Sequence, residues 1–422
     1  MHLNKKRSAP IRFALSVLTL SGLVLTAQAQ GTPPAALGES VSLKDVFDTA
    51  WQRQPEAQAL QSRRDAAQAQ AKAAGLLSPE PPSLEIGHRT DLTTGNNGAR
   101  EAEIGIVVPL WLPGQRAASV DLAQAEISFV ERRLLASQLR LASFVRDAWW
   151  NWQRARVDAE QGREQLANAR RLAQDVASRT QAGDLARSDQ HQAEGAVAAA
   201  EALAAQAQAA SAVALAQLAA LSGRTVAPES TNKAAGEPSP APVPSAHHPL
   251  IEELEDRIAI AERTAGLVNT QKRYNPELTI ATTRSRGAFG EPYGQTVLVS
   301  IRVPLGAGTR HDARIATAQA DAIEVRSQLL LEKDRIQADK LGAAARLEAA
   351  RTQLDAAQRR ATLANESRGF FDKSFRLGET DLPTRLRVEA EAAEATRQAA
   401  RSHIDLASAM SAWRQSLGLL PE

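Results

Sequence analysis

The chain of 422 residues has no cysteine, few aromatic residues and almost no net charge. Without cysteine it can form no disulfide, so packing alone must hold the fold. An aromatic content of 4% argues against a thick core. The formal charge of +2 includes four basic and no acidic side chains in residues 1–29, which leaves −2 for the remainder. A nearly neutral chain gives no electrostatic reason to expect nucleic-acid binding.

Residue patterns that carry chemistry are also lacking. The sequence contains no His-Glu-x-x-His motif and no phosphate-binding loop. Gly306 and Gly308 lack the third glycine of a dinucleotide fingerprint, because His311 stands in its place. His247 and His248 are adjacent, but neighbouring histidines in a linker are more often exposed than bound to metal, and the other histidines have no ligand spacing. We expect no enzyme activity, no cofactor and no metal site.

The N-terminus predicts export. A basic start at Lys5–Arg7 precedes an apolar stretch from Phe13 to Leu25, and Ala27-Gln28-Ala29 gives the pattern that signal peptidase cleaves. We predict a signal peptide at 1–29, too short to serve as a membrane span. Residue 30 is glutamine, so we expect no lipid attached at a cysteine. No later apolar run is expected to cross a membrane as a helix, so a membrane location would require strands.

An internal repeat organises the remaining chain. The segment Val108–Leu110 recurs as Val303–Leu305, and Gly183 recurs as Gly378, both at an offset of 195 residues. Such a register, held through a whole half of the chain, indicates a tandem duplication. We predict a first repeat at 30–224, a linker rich in proline and small residues at 225–247, and a second repeat at 248–422.

Each repeat is predicted to contain a first helix, two strands, a very long helix and a final helix. The helices are expected at 43–73, 116–182 and 188–221, and at 250–272, 310–377 and 383–417. A helix of about 67 residues is roughly 100 Å long, which no compact domain accommodates. Its sparse, small apolar residues favour packing in a coiled coil or helical barrel. We interpret Trp149, Trp150 and Trp152 as packing anchors inside the first long helix.

Apolar and polar residues alternate in the segments between helices, which predicts strands with one apolar face. The alternating apolar positions are Leu84, Ile86, Ala102, Ile104, Ile106, Val108, Leu110, Leu278, Ile280, Val297, Val299, Ile301 and Val303. About ten residues per strand suit a tilted membrane strand, and Trp111 and Tyr274 flank strand ends, where aromatic girdles lie. Four strands cannot close a barrel, whereas three chains would supply twelve. The alternative is a small soluble β-domain packed on the helices.

This tandem unit of helix, hairpin, long helix and shorter helix resembles the TolC-type outer-membrane factors, over about residues 40–420. The Val-Pro-Leu strand ends and the short length resemble most the CzcC-like subgroup of heavy-metal exporters. The resemblance implies a mostly α-helical fold with membrane β-strands: a homotrimer with a twelve-stranded outer-membrane barrel above a periplasmic α-helical barrel. It also implies an RND-type inner-membrane pump and a periplasmic adaptor as partners, with the channel acting as a passive duct.

The resemblance places the periplasmic tip, where adaptors dock, at the two turns between long and final helices. These tip residues are Gly183, Asp184 and Leu185 in the first repeat, and Leu377, Gly378, Glu379, Thr380 and Asp381 in the second. Some members narrow the pore with acids at the positions of Thr384 and Arg387, so that gate is not reproduced here, although Asp189 in the first repeat keeps the acid. The tip acids could pair with Arg187, Arg385 or Arg387. Alternatively they are solvated, helix-starting acids favoured by the dipole.

Other functions remain open at this point. Drug efflux or type I protein secretion would use the same duct. A periplasmic adaptor would need a compact β-domain around one helical hairpin, whereas the strands here occur twice. A structural coiled coil would show uninterrupted heptads.

Overall fold

The computed structural model describes residues 41–223, 236–240, 247–306 and 308–422. The predicted signal peptide at 1–29 and most of the predicted linker lie outside the described residues.

Eight helices occupy most of the described chain. They are α1 (Leu43–Gln52), α2 (Pro55–Gln58), α3 (Leu60–Ala74), α4 (Gln115–Ala182), α5 (Arg187–Ser222), α6 (Pro249–Thr270), α7 (Thr309–Arg376) and α8 (Leu382–Ser416). The long helices α4 and α7 each contain 68 residues, which corresponds to about 100 Å. The expected order of elements is therefore present in both halves.

The first helix expected at 43–73 is instead divided into three. Gln54 has an extended backbone, and Pro55 begins α2. Proline disfavours a helical conformation in the preceding residue, so α1 ends before it and a new helix starts at the proline. The sequence already contained this signal in Gln54-Pro55.

Four antiparallel strands form one sheet in the order β1 (Ser83–Thr90), β2 (Arg100–Pro109), β3 (Glu277–Arg286) and β4 (Gly294–Arg302). The central pairing of β2 with β3 joins the two halves of the chain. Ile106 lies opposite both Leu84 and Ile280, and Ile280 lies opposite Val299. Residues directly opposite in an antiparallel pair share a face, so this register aligns the apolar positions of all four strands.

Large side chains are concentrated midway along α4. Trp150 and Trp152 are almost completely buried, and they pack in a cluster with Phe47 of α1, Leu218 of α5 and Ile404 of α8. We call this cluster the mid-helix core. It confirms the interpretation of the tryptophans as packing anchors, and it ties α1, α4, α5 and α8 together.

The expectation that no helix after residue 29 suffices to cross a membrane is wrong for α5, as judged by its length and composition. From Ala202 to its end this helix is built largely of alanine and carries no charged side chain. The prediction missed it because alanine adds little apolar surface per residue. The α5 helix packs along α4 and ends with Leu218 in the mid-helix core. Among the described residues it is the only helix that meets this criterion.

Candidate functional site: the helix turns and the sheet face

One face of the sheet is apolar and uncovered. The side chains of Ile86, Val299 and Ile280 are 73%, 65% and 49% exposed, and they belong to the apolar face aligned by the register. A soluble β-domain packed on helices would bury this face, so the structure contradicts that alternative. Contiguous exposed apolar surface of this kind marks contact with another molecule or with lipid.

The opposite face of the sheet is polar and has small residues at its centre. It carries Glu85 and Glu103, together with Gly105 and the buried Ala281, whose Cβ lies close to Gly105. In the described chain β1 and β4 each pair along one edge only. The sheet therefore has one apolar face, one polar face and two open edges, as one segment of a larger barrel would have.

The turn between α4 and α5 is closed by a glycine that ends the long helix. Gly183 has φ of +87°, and the N–H groups of Gly183 and Asp184 donate to the carbonyl oxygens of Thr180 and Arg179. This is a Schellman motif, which favours glycine at the left-handed position. Apart from Gly183 and its two chain neighbours, no heavy atom lies within 4 Å of the position that a Cβ on Gly183 would occupy.

The turn between α7 and α8 repeats this geometry. Gly378 has φ of +77°, and the N–H groups of Gly378 and Glu379 donate to the carbonyl oxygens of Phe375 and Ser374. The Ser374 and Thr380 hydroxyl oxygens lie 2.7 Å apart, which holds the turn closed. The two predicted tip turns thus have the same shape and expose similar groups.

Phe375 brings the two halves of the tip together. Its ring is almost completely buried against Leu172 and Val176 of α4. The guanidinium carbons of Arg179 and Arg385 lie 5.1 and 5.3 Å from the ring centroid, at cation–π distance. Sequence reasoning did not find this residue. The sequence feature that could have indicated it is an aromatic residue just before the turn at Gly378, in a chain with few aromatic residues.

Among the described residues, the tip acids form no ion pair with Arg187, Arg385 or Arg387. Arg385 pairs with Asp372 of α7, which lies directly across the helix hairpin, at 2.5 Å. Asp381 instead accepts hydrogen bonds from Thr384 at the start of α8, and these hold the pKa of its carboxyl below the ordinary value. In the part of the chain described here, Arg187 and Arg387 have no carboxylate partner. Of the two alternatives for the tip acids, Asp381 has the helix-starting role, and Arg385 pairs with Asp372 and not with a tip acid.

The candidate pore-gate residues are Asp189, Thr384 and Arg387, and the first two make hydrogen bonds at the start of a helix. The Asp189 carboxylate accepts a hydrogen bond of 3.2 Å from the N–H of Ala186, the N-cap residue just before α5. Thr384 is half-buried, and its N–H donates to Asp381 at 3.3 Å. Arg387 is exposed and lines a groove with Arg359 and Arg360 of α7. Asp189 and Asp381 therefore act as helix-capping acids in this structure.

A buried ionic cluster, which the sequence analysis missed, joins the inter-repeat segment to the mid-helix core. The Glu237 carboxylate receives hydrogen bonds of 2.9 and 2.7 Å from Arg146 of α4, and Nε of Arg414 of α8 lies 3.3 Å from it. All three side chains are at most 3% exposed. Arg414 also donates to the carbonyl oxygen of Pro238, so this cluster fixes the segment 236–240 on the helices.

The described residues contain no group of three or more side chains that could hold a metal ion. His248 is buried at the start of α6, and His247 is exposed beside Glu252, with 2.9 Å between Nδ1 and a carboxylate oxygen. The expectation that both linker histidines are exposed is thus wrong for His248, because Gly418 packs against its ring.

Comparison with known proteins agrees with this geometry. Residues 46–224 match the family model described as outer membrane efflux protein. No curated protein sequence matches the chain. Among solved structures, the outer membrane protein VceC of Vibrio cholerae is 17% identical with a TM-score of 0.70, over 90% of this chain and 97% of that one. The chain has the fold of outer-membrane channels.

Two further structures support the same fold. CusC, studied for transmembrane channel formation, is 16% identical with a TM-score of 0.74, and the alignment covers 93% of this chain and 96% of that chain. The CmeC outer membrane channel of Campylobacter jejuni is 13% identical with a TM-score of 0.70, over 89% and 85% of the two chains. The expected fold class, long helices combined with channel strands, is confirmed.

Proposed function

We propose that this chain is an outer-membrane channel subunit of a tripartite efflux system. Three copies would join their sheets edge to edge into a twelve-stranded barrel and their helices into a periplasmic tunnel. The observation that carries the proposal is the uncovered apolar face of a sheet whose outer strands have open edges. Closing the barrel removes the edges, and lipid covers the face. The efflux family match over the first half supports the same function.

The channel would act as a passive duct, and an inner-membrane pump of the RND type would supply the free energy. A periplasmic adaptor would dock on the tip residues 183–185 and 377–381. Phe375 supports this proposal, because it couples the two turns into one unit that an adaptor could move together. Adaptor contact would shift the population between closed and open tips by separating the helices there.

Heavy-metal cations are the proposed substrate class, on the resemblance to the CzcC-like subgroup. Drugs or secreted proteins are the alternatives within the same architecture. Growth of a deletion strain on a panel of metal salts and drugs distinguishes them, since only the true substrates become more toxic when the duct is lost.

Channel function is tested by reconstituting the protein, extracted from the outer-membrane fraction, into a planar lipid bilayer. We expect stepwise increases in conductance, and gel migration that changes on heating because a stable oligomer dissociates. An adaptor or a structural coiled coil would give neither result. Absence of both conductance and heat-modifiable migration would contradict the proposed function.

A further inference from the structure

Two arginines continue the apolar face of the sheet at its hairpin end, away from the helices. Arg284 lies two residues beyond Thr282, which is paired with Val297 on the apolar face. Arg286 follows two residues later, at the end of β3. Side chains two positions apart in a strand share a face, so both arginines lie on the apolar side, just past the last apolar pair.

Aromatic side chains of the second hairpin hold these arginines in place. The guanidinium carbons of Arg284 and Arg286 lie 4.8 and 5.1 Å from the centroid of the Tyr293 ring. Arg286 also lies 5.6 Å from the centroid of Phe289, and its Nε donates to the carbonyl oxygen of Gly98 at 3.0 Å. Each guanidinium is thus positioned by stacking while most of its N–H donors stay available.

Within the described part of the chain, no carboxylate balances the charge of Arg284 and Arg286. Neither Arg284 nor Arg286 forms an ion pair with a carboxylate of the described chain. Other arginines at the same end do have partners, because Arg89 on the opposite face pairs with Glu101 at 3.2 Å and Arg100 pairs with Asp91 at 3.1 Å. Two cations beside one ring repel each other, so an anion between them would stabilise the arrangement.

We propose that Arg284 and Arg286 bind the phosphate of an anionic lipid whose acyl chains lie on the apolar face. This proposal rests on the proposed function, which places that face in the membrane and the hairpin end at the outer leaflet. The planar guanidinium matches phosphate oxygens well, and Tyr293 and Phe289 supply the aromatic border found where a barrel leaves the hydrocarbon. A soluble anion would gain nothing from the neighbouring apolar surface, which is why a lipid is the occupant that fits.

The test uses the full oligomer in phosphatidylcholine vesicles with and without bis-phosphorylated lipid A. Two quantities are measured: the temperature at which the oligomer dissociates, and the amount of lipid A that stays bound to the purified protein. The variant is Arg284→Gln with Arg286→Gln. The matched control is Arg89→Gln with Arg302→Gln, which removes the same charge from the opposite face. A further arm adds inorganic phosphate to vesicles without lipid A.

Lipid A should raise the dissociation temperature of the unmodified protein and of the control, and the variant should lose that rise. Retained lipid A should fall by more than about tenfold in the variant, because two charge-assisted contacts are lost. An equal shift in variant and control overturns the lipid site, and so does an equal effect of inorganic phosphate. Failure of every protein to enter vesicles would instead contradict the proposed function, and with it this proposal.

Discussion

The mid-helix core buries its apolar side chains, whereas one face of the sheet leaves them exposed. Trp150 and Trp152 are buried by other helices of the same chain, and Glu237 brings two arginines into the same buried region. In the sheet, by contrast, Ile86 and Val299 face outward. One region is therefore complete within a single chain, whereas the other needs material that the chain does not contain. A change in the first should act on folding, and a change in the second on membrane insertion and assembly.

The largest effect is expected from Glu237→Ala. Removing the Glu237 carboxylate leaves the buried Arg146 without a carboxylate partner, and leaves Arg414 with only the exposed Glu422 at 3.0 Å. Breaking a buried ion pair in this way typically costs about 3–5 kcal/mol. The free energy of unfolding by denaturant, followed by tryptophan fluorescence of the mid-helix core, measures this loss. As a control, Glu255→Ala removes an exposed pair with Lys333 and should cost less than about 1 kcal/mol. Equal losses in both variants would show that the buried cluster is not special.

The sheet can be probed with lysine on adjacent residues of β4. Val299→Lys places a charge on the apolar face and should cost about 2–4 kcal/mol of membrane insertion, if that residue lies near the bilayer midplane. Ser300→Lys places the same charge on the polar face and should insert normally. The fraction of each protein recovered in outer-membrane extracts, relative to the unmodified chain, reports the difference. Normal insertion of both variants would mean that the apolar face does not meet lipid.

The tip turns should respond to backbone strain. Gly183→Val and Gly378→Val force a β-branched residue into a left-handed conformation at a cost of about 1–2 kcal/mol each, although no atom is in the way. We expect weaker cross-linking to the adaptor and reduced efflux. Gly195→Val is the matched control, since Gly195 lies inside α5 and also has open space around its Cβ position. Unchanged cross-linking and efflux in both tip variants would argue against adaptor docking at these turns.

The smallest effect is a pH dependence at His248. Burial, followed by the charge of Lys340, lowers the pKa of this histidine to about 4. The unfolded chain therefore takes up the proton first, and stability should fall as the pH is lowered from about 6.5 towards 4. His248→Gln should make the unfolding free energy less dependent on pH in that window. An identical pH profile for His248→Gln and the unmodified chain would contradict this account.

Much of the fold could be predicted from the sequence because its signals are local and repeated. The alternation of apolar and polar residues predicted the four strands. Gly183 and Gly378 predicted where the two long helices end. Helix-forming composition gave α4 and α7 within a residue or two at each end. The break before Pro55 was missed because the helical pattern continues on both sides of it.

The candidate site was less accessible, because its contacts join residues far apart in sequence. Phe375 meets Arg179 across 196 positions, and Glu237 meets Arg414 across 177. No periodicity encodes such pairs. The partner of Arg385 was missed for a different reason. Asp372 is close in sequence, but only the hairpin between α7 and α8 places it opposite Arg385.

The number of copies per particle tests the central claim most directly. Native mass spectrometry of the detergent-extracted protein from the outer-membrane fraction should give three chains per particle. That number follows from four strands per chain and a closed barrel of twelve. Recovery of the protein as a water-soluble single chain, with its apolar sheet face shielded from solvent, would contradict the account.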